Sequence, residues 1–181
     1  MNSGFNKITL GLVIVLININ IGFINLLPDI IGYMMIASGT SQLGLEKARN
    51  WAVWLAVLSL PTIFNLGMNL IDAIQFSPAF FAESIYIVVL TIFHILLIFE
   101  LMKGFVAKAE EKGLVTIVGS TKKRINIYAT VSLIYLITFP FILNLEELVS
   151  ITVIILISFV TFFMEIMIIL LVRQYRNILA A

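Results

Sequence analysis

The eleven lysines and arginines of this 181-residue chain gather at four places, and no other feature of the sequence constrains the fold as much. Lys7 stands near the amino terminus, Lys47 and Arg49 form a pair, six more lie from Lys103 to Arg124, and Arg173 and Arg176 lie near the carboxyl end. Long apolar runs separate these groups. A hydrocarbon core of ~30 Å takes ~20 apolar residues in a helix that rises ~1.5 Å per residue. The runs at about 8–27, 28–44, 51–72, 83–103, 125–144 and 148–172 meet or approach that length. With 61% hydrophobic residues, 12% charged ones and a mean hydropathy of +1.13, the chain holds more apolar surface than a water-soluble domain can bury.

Six spans also sort the charges. The loops without lysine or arginine hold Asp29, Asp72, Glu83, Glu146 and Glu147 instead. Basic loops stay on the cytoplasmic side. The expected fold is therefore an all-α integral membrane bundle of six transmembrane helices, one domain over residues 1–181, with both termini cytoplasmic. The first run is longer than the apolar segment of a signal peptide, lacks a small-residue cleavage pattern after it and leads directly into another span, so it reads as a retained helix. Trp51 and Trp54 open the third span, where interfacial tryptophans are expected. Residues 103–124 read as a long polar loop, with Leu114 to Val118 lying at the membrane surface.

The first tip of the bundle is the stretch Asn25-Leu26-Leu27-Pro28-Asp29-Ile30-Ile31-Gly32-Tyr33. Pro28 suits the first turn of a new helix and no position inside an old one. Asp29 places a carboxylate at the positive end of that new helix. Gly32, Ala37, Ser38, Gly39 and Ser41 are small residues of the second span that would allow close helix approach. This stretch, NLLPDIIGYMMIASG followed by a short basic loop, resembles small polytopic membrane proteins of Gram-positive bacteria that carry an LPD-x-IGY hairpin near the amino terminus and have no assigned activity. The resemblance implies the same topology and a bacterial plasma membrane. It covers about residues 20–45 and carries no catalytic residues with it.

Polar groups inside lipid are costly, and each needs a packing or a functional reason. Thr62, Asn65, Asn69 and Asp72 recur at helical spacing in the third span and are expected to share a face. They read either as the wall of an outward-opening hydrophilic path or as interhelical hydrogen bonding. Gly11, Asn18, Gly22 and Asn25 share a face of the first span in the same way, where close packing is the plainer reading. His94 lies nine residues before Lys103 and Glu165 eight before Arg173. Both are therefore expected ~12–14 Å from the cytoplasmic boundary, near the middle of the bilayer. Spans four and six run in the same direction, so the two side chains meet if those helices are neighbours. Thr91 shares the face of His94, and Ser158 and Thr161 that of Glu165. Glu100, three residues before Lys103, reads as a surface pair.

Lys122, Lys123 and Arg124 form the densest basic cluster, expected to face anionic lipid headgroups at ~1 kcal/mol per charge. Glu110 and Glu111 dilute it, and a nucleic-acid site is not expected. Without cysteine there is no disulfide, thiol nucleophile or thiolate metal site, and a single histidine excludes multi-histidine metal motifs. No HExxH, GxSxG or Walker-type motif occurs. No enzymatic activity, metal or cofactor is expected.

Two function classes remain. One is a small transporter or channel-like protein with Asn65, Asn69 and Asp72 at its outer approach and Asn18, His94 and Glu165 near the midplane, where alternating access places substrate. Its partners would be the bilayer and, to complete a pathway, a second copy. The other is a non-catalytic accessory, immunity or regulatory subunit that uses its polar stripes against another membrane protein.

Overall fold

The computed structural model describes residues 2–17, 20–21, 24–25, 29–63, 78–142 and 145–179. Six α-helices account for nearly all of them: α1 (Asn2–Ile17), α2 (Asp29–Gln42), α3 (Glu46–Leu58), α4 (Pro78–Glu111), α5 (Val115–Ile142) and α6 (Glu147–Leu179). Two short strands, β1 (Asn20–Ile21) and β2 (Ile24–Asn25), pair antiparallel, and a 3-10 turn covers Leu60–Ile63. Among the described residues, α4, α5 and α6 are long and apolar enough to cross a membrane. Their 34, 28 and 33 residues correspond to ~40–50 Å of helix, whereas α1, α2 and α3 have 16, 14 and 13.

Three expected boundaries are corrected. The first helix was expected to continue to about residue 27, but α1 ends at Ile17 and Asn20 pairs with Asn25 across a two-stranded ribbon. Asparagine and glycine are weak helix formers and isoleucine favours extended backbone; the sequence INIGFIN supplies all three. Gly11 and Asn25 therefore do not share a helical face, and Asn18 lies outside the described residues. The third helix was expected to reach about residue 72, but α3 ends at Leu58. Pro61 is the reason: it offers no N–H to the carbonyl four residues back and pushes its predecessor out of the α region. Ser59 closes the end, its N–H donating to the Leu55 carbonyl at 2.8 Å and its hydroxyl to that of Ala56 at 3.1 Å. Thr62 consequently lies in the 3-10 turn; Asn65, Asn69 and Asp72 lie outside the described residues.

The third correction concerns 103–124, which is not a loop. Helix α4 runs on to Glu111, α5 starts at Val115, and Ile117 and Val118 are buried rather than spread on a membrane surface. A polar sequence has to leave the lipid, not the helix, and a helix of this length projects past the hydrocarbon core. The turn between them is made by Gly113 at φ +68°, whose N–H donates to the Glu110 carbonyl at 3.0 Å while that of Leu114 donates to Ala109 at 2.9 Å. Gly44, also at φ +68°, ends α2 with the same two bonds: Gly44 to Ser41 at 3.0 Å and Leu45 to Thr40 at 2.9 Å. Both are Schellman turns, and both need the left-handed residue that glycine supplies without strain.

The helices run alternately up and down. Lys7 of α1 donates to Ser38 of α2 at 2.9 Å, Arg176 of α6 to Asn6 at 2.9 Å, and Lys112 to the Leu179 carbonyl at 3.1 Å. One end of the bundle thus collects both glycine turns and the basic residues. Helices α4 and α6 run parallel as neighbours, with α5 antiparallel to both.

The core sits in that basic half. Buried residues of α4 begin at Leu97 and those of α6 at Ile168. Phe5, Phe105 and Tyr175 form an aromatic column across α1, α4 and α6, with ring centroids 5.1 and 5.2 Å apart. The Tyr175 and Thr121 hydroxyls lie 2.8 Å apart, which ties in α5. Helices α1 and α2 cross closely at Gly11 against Gly32 and Gly4 against Gly39. A Cβ added at Gly39 would stand 2.6 Å from the Gly4 carbonyl oxygen, whereas one at Gly119 would meet nothing within 4 Å. Gly39→Ala should therefore lower the thermal midpoint of the detergent-solubilised protein, at a cost of ~1–3 kcal/mol, and Gly119→Ala should not. Equal midpoints for the two variants would show that the crossing tolerates side chains.

The other half is loosely covered. Leu133, Ile134, Ile137 and Phe141 of α5 and Ile155, Leu156, Phe159 and Phe163 of α6 are exposed. Apolar surface on that scale, carried on helices of spanning length, marks a chain that folds in lipid.

Candidate functional site

Where the packed half ends, four helices bring polar side chains to one level. Helix α2 contributes Asp29 and Tyr33, four residues apart on one face. Helix α4 contributes His94, α6 contributes Glu165, and α5 contributes Tyr128, Ser132 and Tyr135. They line a cleft of about 350 Å³, together with Thr91, Ser158, Thr161 and an apolar surround that includes Val15, Leu16 and Met164. No lysine or arginine is in the lining.

The centre is a chain of contacts. His94 Nε2 and Glu165 Oε1 are 3.2 Å apart, the Tyr33 hydroxyl is 3.0 Å from His94 Nδ1, and the Tyr128 hydroxyl donates to Glu165 Oε1 at 2.9 Å. With the imidazole proton on Nε2 and Glu165 ionised, every contact has one donor and one acceptor: Tyr33 donates to Nδ1, Nε2–H to Oε1, and Tyr128 to Oε1. A proton added at Nδ1 turns the first contact round, so that the imidazolium donates to the Tyr33 oxygen, and leaves the other two standing. The site can thus take up one proton without losing a hydrogen bond.

The local sequence explains the positions. His94 lies one turn before the core residues Leu97 and Ile98, and Glu165 one turn before Ile168 and Ile169. The pair therefore forms the floor of the cleft and the roof of the core. The Thr91 and Thr161 hydroxyls donate back to their own helices, to Ile87 at 2.9 Å and Ile157 at 3.0 Å. Their methyl groups and oxygens line the wall without an unsatisfied hydrogen.

His94 and Glu165, expected at equal depth on neighbouring helices, are brought together. Asp29 and Tyr33, read from the sequence as hairpin residues, belong to the same cleft. Gly32 faces α1 instead, and Asn25 lies in β2. Pro28, like Asn18, Asn65, Asn69 and Asp72, lies outside the described residues. Lys122, Lys123 and Arg124 fall on α5 rather than in a loop. The Lys122 ammonium donates to Glu110 at 3.0 Å, and the exposed Lys103 stands 3.5 Å from the half-buried Glu100 as a surface pair. Sequence reasoning missed Tyr128, Ser132 and Tyr135, whose spacing of four and three was the available signal. Among the described residues no group of three His, Cys, Asp or Glu could hold a metal ion.

Comparison with protein-family models, with curated proteins and with solved structures gives no match. Fold and site by themselves define the class: a helical membrane protein whose bundle is packed in one half and holds a polar cleft at the edge of the other.

Proposed function

We propose that this protein is a small bacterial plasma-membrane carrier of six spans, with both termini cytoplasmic, that binds its substrate in the cleft above His94 and Glu165. One observation supports this reading above the rest: polar side chains from α2, α4, α5 and α6 converge on a cleft at the depth where apolar packing would serve stability better. The gathering of basic residues at one end of an up-and-down bundle supports the topology, as does the resemblance of the Pro28–Asp29 hairpin to those of Gram-positive polytopic proteins. Nothing in the site requires bond chemistry; it binds and moves a proton.

The test uses the absence of native cysteine. Single cysteines at Ser132 and Thr161 should react in intact cells with a membrane-impermeant thiol reagent, as should Leu145→Cys at the acidic tip. Lys112→Cys should react only after lysis. Labelling at Leu145 with silence at both cleft positions would remove the water path and with it the carrier.

A second reading has one observation in its favour. The exposed apolar faces of α5 and α6, with Phe159 and Phe163 among them, would accept a partner's helices as readily as lipid. An accessory or regulatory subunit of this kind would retain a membrane-protein partner after mild solubilisation, and its cleft cysteines would stay unlabelled.

A further inference from the structure

Resting on the carrier reading, we infer that the cleft takes a small organic ammonium ion rather than a neutral or anionic solute. Charge is the first ground. Among the described residues the wall holds two carboxyl groups, Asp29 and Glu165, and one base, His94, with no lysine or arginine. With both carboxylates ionised, the lining is negative whether the imidazole is neutral or protonated. In an apolar surround that excess is relieved by a proton or by a bound cation, and a cationic substrate supplies the second.

The second ground is the kind of surface. The buried Tyr33 and Tyr128 and the half-buried Tyr135 bring aromatic groups from two helices to the wall of a space that also holds the carboxylates. An ammonium ion with carbon substituents is held by such rings through their quadrupoles, most strongly where water is scarce. A bare alkali ion would bind through oxygens alone and leave Val15, Leu16 and Met164 without a part in holding it. An anion would meet two carboxylates and no lysine or arginine. The third ground is size: about 350 Å³ is at the small end of the ~300–1,000 Å³ usual for ligand sites.

The chemistry of Glu165 is compatible with a guest. Both of its described contacts fall on one oxygen, Oε1, and a carboxylate accepts about four hydrogen bonds. A cation can therefore approach the carboxylate without displacing His94 or Tyr128.

The experiment compares three guests of nearly the same shape and different charge: tetramethylammonium, tert-butanol and pivalate. Each is added to purified Thr161→Cys protein, and the rate of thiol labelling is read together with the thermal midpoint. Tetramethylammonium should slow labelling about fivefold or more at saturation and raise the midpoint, as a ligand bound only to the folded state must. The other two should do neither. Asp29→Asn and Glu165→Gln should each weaken the protection about tenfold, the loss of one charge contact of ~1.4 kcal/mol; if one variant fails to fold, the other decides.

Equal protection by tert-butanol or pivalate would overturn the cationic class and leave the carrier standing, as would protection by sodium or potassium alone. Protection without uptake of tetramethylammonium into proteoliposomes would keep the binding class and remove the carrier. A cysteine that never labels would overturn both.

Discussion

Replacing His94 with leucine is expected to cost about 3 kcal/mol of stability, while replacing His94 and Glu165 together with leucine costs far less. The single change removes the Nε2 contact at 3.2 Å and leaves a carboxylate at the cleft floor with the Tyr128 hydroxyl as its remaining described partner. Breaking a buried pair from one side costs ~3–5 kcal/mol, whereas exchanging both members for apolar groups of similar size is often neutral. The lower end applies here because both side chains keep some access to the cleft, at 14% and 21% exposure. Glu165→Leu alone is expected to cost less than His94→Leu, since a histidine left behind can stay neutral and keep Tyr33 at Nδ1. Chemical unfolding of the four proteins in detergent closes the double-mutant cycle. Additive costs would mean that the two side chains stand near each other without coupling.

The largest effect on stability is expected at Phe105→Ala, about 3–5 kcal/mol. Phe105 is fully buried between Phe5 and Tyr175, with ring centroids 5.1 and 5.2 Å away, and it touches helices from both ends of the chain. Truncation would leave a void that α1 and α6 cannot readily fill by closing in, because Ile8, Leu101 and Leu171 of the same core are already without exposure. Tyr175→Phe keeps the ring and loses only the 2.8 Å contact with Thr121, a loss of ~1 kcal/mol. The same unfolding measurement ranks them. A Phe105→Ala protein as stable as Tyr175→Phe would show that lipid or neighbouring side chains refill the site.

How far the sequence carried the fold can be seen residue by residue. Charge placement settled which turns share an end, because a lysine inside hydrocarbon costs more than any local propensity can offset. Counting residues from Lys103 and Arg173 put His94 and Glu165 at one depth, since helix rise is constant. What composition could not show was where helices stop. Pro61 ended α3 although the apolar run continued past it, and Gly113 alone marked a turn inside a segment whose charges suggested a loop. Hydropathy reports the solvent of a residue, not its backbone. The tyrosines of the cleft were hidden for a related reason: Tyr128 and Tyr135 are ordinary constituents of a lipid-embedded helix until a neighbour's carboxylate is known to stand opposite.

The column of Phe5, Phe105 and Tyr175 has a consequence for direction of travel. It lies beneath the floor of the cleft, on the basic side, where α1, α4 and α6 touch ring to ring. In the carrier reading this conformation is the outward-facing one, with the inner door shut. A substrate released to the cytoplasm would have to pass where those rings now stack, and the Tyr175–Thr121 hydroxyl contact is then the latch. If the protein is a carrier, the residues that contribute most to stability are the ones that must part for each delivery, and a tighter inner core would make a sturdier protein and a slower one.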